Sequence, residues 1–598
     1  MAKKNEISEE EKIILSMPNP RLVKLIIKNF RSIGAEGVHI DLNDIVVLVG
    51  PNNAGKSSIL KAYETVMHDG SKKSILGIDD FPNNVVDPEN LPEVELHSIV
   101  FEERVGAHWL HKTEKNELLV KEKWTWNGPG QLPNRVGYNV DIQNWDTKAP
   151  FGFANVANLR RPEPHPVLAF DNPDVQAKAI ADLLMTAINE KVLGLQSDGE
   201  ENEYFKLLDS LKVLQNKIID ESQEQIKTAN EELSKLISQV FPNYIIDFEL
   251  DANNNIDKSI SLFKSVTTNL LMGPKDGYKS SIDKQGSGAR RTLLWTALKY
   301  LSESNRNSVD GRPTRPHLLL IDEPEICLHP NAIREASNVL YELPKNSNWQ
   351  VMATTHSPIF INFDRDNTTI IRVEKNKKGI VKGTTVFRPD KIKLGEDDKE
   401  NLKLLNICDP YVAEFFFGGS VVIVEGDTEY TAFNYIKNLN PDKYNNIHII
   451  RARGKATIVS LIKILNQFGT NYSILHDSDR PWNEEGTKRS PAWGNNPNIL
   501  AEVEKKPVNV RVRLIASLPN FEEAYFGEEV KKDKPYNALE TIKTDSGKRE
   551  LVEKLFNALI DHEKELPQNC TEWNDIDNLH EMLAAVIVLP PFIGKDED

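Results

Sequence analysis

The stretch IVVLVGPNNAGKSSILKAYETV, Ile45–Val66, changes character twice within 22 residues. Ile45–Val49 is an unbroken apolar run rich in β-branched residues, as a strand buried on both faces requires. Gly50-Pro-Asn-Asn-Ala-Gly55-Lys56-Ser57 then fits GxxxxGK[ST] without a mismatch. Beyond it, Ile59, Leu60, Tyr63 and Val66 recur at helical spacing. Strand, glycine loop and helix in that order make a phosphate cradle. Glycines let backbone N–H groups curl around phosphate oxygens, Lys56 reaches the β- and γ-oxygens, and Ser57 ligates Mg²⁺. Asn52, Asn53 and Ser58 belong to the same expected set of contacts, and the expected ligand is ATP.

Working outward, LVKLIIKNFRSIG (Leu22–Gly34) alternates as a strand before a turn. That opening, followed by the Asn-Asn-Ala form of the loop, resembles the ATPase heads of the ABC-like repair class, the group of RecF and the SMC heads. The resemblance implies three further segments. In PHLLLIDEPEICLHP (Pro316–Pro330) a buried strand ends in Asp322-Glu323. The aspartate would hold the Mg²⁺ water shell, and the glutamate would polarise the attacking water. Glu325 and His329-Pro330 look like the loop that follows. In VMATTHSP (Val351–Pro358) a short strand ends at His356, matching the histidine that contacts the γ-phosphate. In DKQGSGARRTLLWTALKYL (Asp283–Leu301), Gly286-Ser287-Gly288 opens a helix, resembling a divergent ABC signature. A glycine-rich helix start offers free N–H groups to an anion. In this class the signature of one subunit caps ATP bound by another, so a homodimer or higher homo-oligomer is implied.

Composition sets outer bounds. The chain has 598 residues, 39% hydrophobic and 27% charged, and reads as globular and multidomain. No apolar run is long enough to span a bilayer, and no signal-peptide core precedes the first strand, so no membrane role and a cytoplasmic location are expected. Three cysteines, Cys327, Cys408 and Cys570, lie far apart without CxxC spacing, which argues against a disulfide scaffold or a zinc knuckle. A net charge of −16 weighs mildly against a nucleic-acid partner, because such proteins usually carry a basic footprint.

The last third restarts the strand–turn–helix pattern. GGSVVIVEGDTEYTAFNYI (Gly418–Ile436) places Glu425-Gly426 at a strand end. IHIIRARGKATIVSLIKIL (Ile447–Leu465) follows, and then ILHDSDRP (Ile474–Pro481), with Asp477 and Asp479 one residue apart. Like charges this close repel unless something positive lies between them. In open α/β sheets ligands bind at the carboxyl ends of strands, which places Glu425, Asp477 and Asp479 in one cleft. Alternate residues on an extended strand point the same way, so the two aspartates are expected to share a metal. Hard oxygen ligands select Mg²⁺ or Mn²⁺. Glu425-Gly426 followed by Asp-x-Asp after consecutive βα units resembles the TOPRIM domain of topoisomerases, primases and certain nucleases. RLIASLPNFEEAYFG (Arg513–Gly527) offers Glu522 or Glu523 as a further metal ligand, a choice the sequence leaves open. Lys531, Lys534, Lys543 and Lys548 are equivalent candidates for a charge-stabilising lysine. Arg451, Arg453 and Lys455 would track a phosphate backbone.

An ABC-type head with a helical insertion and a C-terminal TOPRIM resembles the OLD (overcoming lysogenization defect) family, which includes free-standing nucleases, the A subunit of Gabija systems and effectors encoded beside retrons. The expected fold is α/β throughout. Residues 1–175 and 243–395 form the ATPase, 176–242 a helical arm for dimerisation, and 405–598 the Rossmann-like nuclease domain. The resemblance implies metal-dependent cleavage of phage or plasmid DNA in anti-phage defence, with a helicase or reverse transcriptase from a neighbouring gene as a possible partner. The metal ligands would be Glu425, Asp477, Asp479 and Glu522, with Ser57 and Asp322 serving the nucleotide's ion. Two other classes fit parts of the sequence: a repair ATPase whose TOPRIM does not cleave, and a nucleotide-sensing scaffold that restrains a partner toxin. Glu323 argues against an inert nucleotide site.

Overall fold

The structure is a computed structural model. It describes residues 21–100, 105–168 except 159, part of 172–184, 226–238, 244–252, 266–304, 316–345, 349–362, 367–388 except 377, 395–417 except 409, 419–508 except 468 and 470, 510–527 and 532–594. Two compact units account for the chain: 1–48 with 53–356 and 373–383, and 49–52 with 357–372 and 384–598. The arm expected over 176–242 lies largely outside the described residues, of which 226–237 are helical.

In the first unit an antiparallel sheet gathers Val38–Asp41, Arg21–Lys28, Glu93–Val100, Leu118–Thr125, Asn134–Asn139 and Asn144–Asp146, in that order. Trp124 and Trp126 are fully buried there. Beside them Arg161 makes two bonds to Glu122, at 2.6 and 2.8 Å, and stacks 4.6 Å from the Trp124 ring. A buried guanidinium with a bidentate carboxylate and an aromatic face has its charge met on every side.

The second sheet holds the motifs. Its strands are β1 (Ile45–Val49), β2 (Glu163–Val167), β3 (His317–Asp322), β4 (Trp349–Thr354), β5 (Thr368–Lys375) and β6 (Val381–Phe387), ordered β6-β5-β1-β4-β3-β2. The pairs β1/β4, β4/β3 and β3/β2 are parallel. All five residues of β1 and all six of β4 are buried, which explains why their sequences lack alternation. Strand β2 reads Glu-Pro-His-Pro-Val and sits at the sheet edge. Prolines cannot donate to a ladder, and alternate positions leave theirs on the side that has no neighbour among the described residues.

The second unit carries a five-stranded sheet: β7 (Ser420–Val424), β8 (Ile447–Arg451), β9 (Tyr472–Asp477), β10 (Val512–Ser517) and β11 (Cys570–Glu572), ordered β8-β7-β9-β10-β11. Only β10/β11 is antiparallel. Because β8 lies on one side of β7 and β9 on the other, the chain reverses its winding at β7/β9, the point where open α/β sheets bind ligands. The core beneath is aromatic. Phe433 is fully buried, stacks on Phe556 at 4.7 Å and meets Phe521 edge-on at 6.1 Å. Phe433→Ala is expected to cost roughly 3–5 kcal/mol, read as a lowered denaturant midpoint for this unit with the slope unchanged.

Candidate functional site

Two sites emerge, one in each motif set. From β1 the chain passes through Gly50 at φ 141°, Asn53 at φ 59° and Gly55 at φ 103° before helix α1 (Lys56–Met67) begins. A Cβ on Gly55 would lie 2.7 Å from a Val381 methyl, so both conformation and space demand glycine. Asn52 and Asn53 are exposed, and the Ser58 N–H closes the turn onto the Gly55 carbonyl at 3.1 Å. Ser57 Oγ donates to the Asp322 carboxylate at 3.0 and 3.1 Å, joining the loop to the end of β3. Thr354 Oγ1 donates to the same carboxylate at 2.5 Å.

Lys56 is buried, and its Nζ donates to His356 Nε2 at 2.7 Å. Burial, with the neighbouring ammonium, pulls His356 below the usual imidazole range, so the ring is neutral and accepts. Glu323 sits at φ 48°, with its N–H bonded to the Thr354 carbonyl and hydroxyl. Its carboxylate is 3.6 Å from His356 Nε2. Burial and the adjacent Asp322 raise its pKa, which suits a proton acceptor. Glu325 receives Thr355 Oγ1 at 2.8 Å and the His356 N–H at 2.6 Å, so it braces the histidine loop. Gly286 and Ser287 are exposed at the start of α2 (Ser287–Ser304), while a Cβ on Gly288 would meet the Cys327 carbonyl at 2.8 Å.

In the second unit Glu425 follows β7 and Asp477 ends β9. The Glu425 N–H donates to the Leu475 carbonyl at 3.1 Å, and the Asp477 N–H donates to Glu425 Oε2 at 3.1 Å. Asp477 Oδ1 accepts the Phe521 N–H at 2.8 Å from the start of α5 (Phe521–Phe526). Asp479 departs from expectation. The strand ends at Asp477, and Asp479 adopts φ 59°, so the two aspartates do not share a strand face. That turn delivers Asp479 Oδ2 to Lys455 Nζ at 2.5 Å. Lys455 is 4% exposed at the start of α4 (Lys455–Leu465), so it is an ion-pair partner of the site and not a surface cation tracking phosphates. Arg451 bonds Asp427 at 2.6 Å and lies over Tyr430, leaving Arg453 as the exposed member of the three.

The ambiguity at 522/523 has a local cause. Asn520 caps α5: its Oδ1 accepts the Glu523 N–H at 2.9 Å, and its Nδ2 donates to Glu523 Oε1 at 2.7 Å. Arg480 takes the other Glu523 oxygen at 3.3 Å. Glu522 instead turns inward, 3% exposed, accepting from Thr428 Oγ1 at 3.0 Å and Lys534 Nζ at 3.3 Å. Of the other lysines, Lys548 donates to the Phe526 carbonyl, Lys543 pairs with Glu540, and Lys531 lies outside the described residues.

Sequence reasoning missed Glu429, although it stands within the EGDTE run. It is buried in the first turn of α3 (Asp427–Leu439). Burial, with the charges of Glu425 and Glu522, pushes it up to about 8. Burial, then Glu429, Glu425, Asp479 and Glu522, hold Asp477 well above the ordinary carboxylate range. These acids therefore share one electrostatic environment, although no three of them bring ligand atoms within 4.8 Å of one another. His476 beneath them is neutral, its pKa lowered to about 3 by burial. The Trp573 indole can only donate, so His476 Nε2 accepts at 3.0 Å and Nδ1–H donates to the Asp477 carbonyl at 2.8 Å.

A family model described as an AAA ATPase domain matches residues 21–121 and 171–361. A second, described as the TOPRIM domain of overcoming lysogenization defect protein-like proteins, matches 416–479. The Old nuclease of Escherichia phage P2 is 24% identical over 483 residues, covering 77% of each chain. The OLD nuclease of Thermus scotoductus is 25% identical over 557 residues, covering 88% of this chain and 95% of its own. With both domain matches, these relatives make the chain similar to the OLD nucleases. A third relative, the endonuclease GajA of Bacillus cereus, is 23% identical over 348 residues, about half of each chain. The pairing of an ATPase head with an OLD-like TOPRIM domain agrees with the fold expected from the motifs. Among the described residues no helix is long and apolar enough to cross a membrane.

Glu429 gives a pH signature. Its native pKa exceeds the ordinary value of 4.5, so between pH 4.5 and about 8 the folded chain holds a proton that the unfolded chain lacks. That contribution is complete below pH 4.5 and fades as pH rises through about 8. With chelator present, denaturant midpoints should fall across this window, and Glu429→Gln should flatten the slope. An unchanged slope would place the titration on another group.

Proposed function

We propose that this chain is an ATP-binding, divalent-metal-dependent DNA endonuclease acting in cytoplasmic anti-phage defence. The observation that carries the reading is the gathering of Glu425, Asp477, Asp479 and Glu522, with Glu429 behind them, at the switch point of the TOPRIM sheet. The donor set fits a hard dication. Buried carboxylates raise one another's pKa, and Mg²⁺ or Mn²⁺ relieves that repulsion through oxygen ligands. Glu425, Asp477, Asp479 and Glu522 would hold it once their oxygens close from the separation seen here, with Lys455 and Lys534 yielding Asp479 and Glu522 to the ion; Glu523 turns instead to its own cap and Arg480. A dication held there would supply water activation and stabilisation of the leaving oxygen of a phosphodiester.

The protein's own groups do the positioning. Backbone N–H groups of Asp477 and Phe521 orient the carboxylates of Glu425 and Asp477. Lys455 offsets the charge of Asp479, and Lys534, beside Glu522, is the described lysine best placed to meet developing negative charge. Arg453, exposed after β8, is the group available to a phosphate backbone. At the head, Lys56, Ser57 and Asp322 would bind the nucleotide and its ion, with Glu323 and His356 placed to serve its γ-phosphate. The exposed start of α2 supports a second copy supplying its signature across that nucleotide, and a neighbouring-gene helicase or reverse transcriptase is the partner class to seek.

Plasmid nicking separates the two halves. Asp477→Ala should lower Mg²⁺- or Mn²⁺-dependent nicking roughly 10²–10³-fold or more while ATP binding persists. Undiminished nicking in that variant would falsify the metal assignment. Lys56→Ala should abolish ATP binding yet keep nucleotide-free nicking. Loss of nicking in an assay without nucleotide would mean that the two sites are not separable.

A further inference from the structure

The edge strand β2 carries chemistry that neither site uses. Glu163 and His165 alternate on β2 and therefore project from the same face. The parallel register sets Glu163 beside His317 on β3, and His317 beside Trp349 on β4. His165 Nε2 lies 3.0 Å from His317 Nδ1, and Glu163 Oε2 lies 3.9 Å from the same His317 nitrogen. One ligand atom from each of the three residues falls within 4.8 Å of the others. Trp349 walls one side, stacked on His317 at 4.7 Å and 22° and lying 4.8 Å from the His165 ring. His317 is buried, while Glu163 and His165 are half-buried, so the three donors converge where solvent reaches one side.

These residues open β2, β3 and β4, whereas Asp322 and Thr354 close β3 and β4. At about 3.3 Å per residue, the five-residue step from His317 to Asp322 puts the cluster about 16 Å from the nucleotide end of β3. It also differs in kind from the TOPRIM acids, which offer oxygen alone. Two imidazoles and one carboxylate suit a borderline-soft ion, not Mg²⁺. Zinc–imidazole bonds of about 2.0–2.1 Å place two nitrogens of a tetrahedral ion roughly 3.3 Å apart, a small opening of the observed contact. We propose that Glu163, His165 and His317 bind a transition-metal dication of the zinc class, with water in the remaining position. The ion would tie β2, which has one neighbour in the sheet among the described residues, to β3.

The test uses the full chain in the Asp477→Ala background, which weakens the carboxylate cluster. After chelation and dialysis, Zn²⁺ is titrated by calorimetry, and Co²⁺ is added as a spectroscopic probe of nitrogen ligation. The expected result is one equivalent bound, visible d–d bands from Co²⁺, and a melting temperature raised by Zn²⁺. His165→Gln and Glu163→Gln should each weaken binding at least tenfold and abolish the Zn²⁺-dependent rise. Glu163, whose side chain is 42% exposed, keeps the test decisive where a histidine variant fails to fold. Equal affinity in a folded Glu163→Gln or His165→Gln variant overturns the proposal, as does absence of stoichiometric binding in the Asp477→Ala chain. Either result would make the two histidines a hydrogen-bonded pair packed on Trp349 and nothing more.

Discussion

Negative charges that repel one another are held at the carboxyl edge of a parallel sheet, and much of the second unit is arranged around that repulsion. Three compensations recur. Backbone N–H groups at Asp477 and Phe521 point at carboxylate oxygens. Ammonium groups of Lys455 and Lys534 sit on Asp479 and Glu522. Protonation, favoured by burial at Glu429, removes a charge outright. Together they make a gathered set of acids tolerable in the folded protein, where an uncompensated one would be costly. The neutral His476, fixed as one tautomer by Trp573, holds the Asp477 carbonyl from below and leaves its carboxylate facing the other acids.

The ATPase head solves a different problem. There the critical groups come from distant parts of the chain and meet in pairs. Ser57 reaches Asp322 across 265 positions, and Lys56 reaches His356 across 300. Parallel strands make this possible, because β1, β3 and β4 all end at the same edge and each hands its next residue to the loop above. Glu325, which reads in the sequence as part of a loop after the strand, turns back to brace the backbone at His356.

What could be read directly was whatever depends on chain-local order. Apolar runs gave β1, β3, β7 and β9, the family resemblance pointed to β4, and the glycine loop gave the start of α1. The meeting of Glu425 and Asp477 followed from the rule that acids at the carboxyl ends of successive parallel strands share a cleft, whereas the winding reversal at β7/β9 emerges only from the strand order. What failed depended on one dihedral or one cap. Alternation along a strand assumed that β9 continues to Asp479, but φ 59° there turns the side chain toward Lys455. Lys455 itself looked like a surface cation because its burial comes from α4 packing, which no local pattern records. Glu522 and Glu523 were inseparable until Asn520 was seen to engage the second. Glu429 sat in plain view, but its burial beneath Glu425 and Glu522 is a tertiary fact.

The outer strand of the head has a bearing on how copies of this protein can meet. An open sheet margin with free amide hydrogens is a template on which another chain can crystallise its own backbone, and that is a common route to uncontrolled clumping. With Pro164 and Pro166 along β2, that border offers few donors to a newcomer. Association between heads through this side must then be written in side chains, which discriminate among partners, and not in main-chain ribbon pairing, which does not.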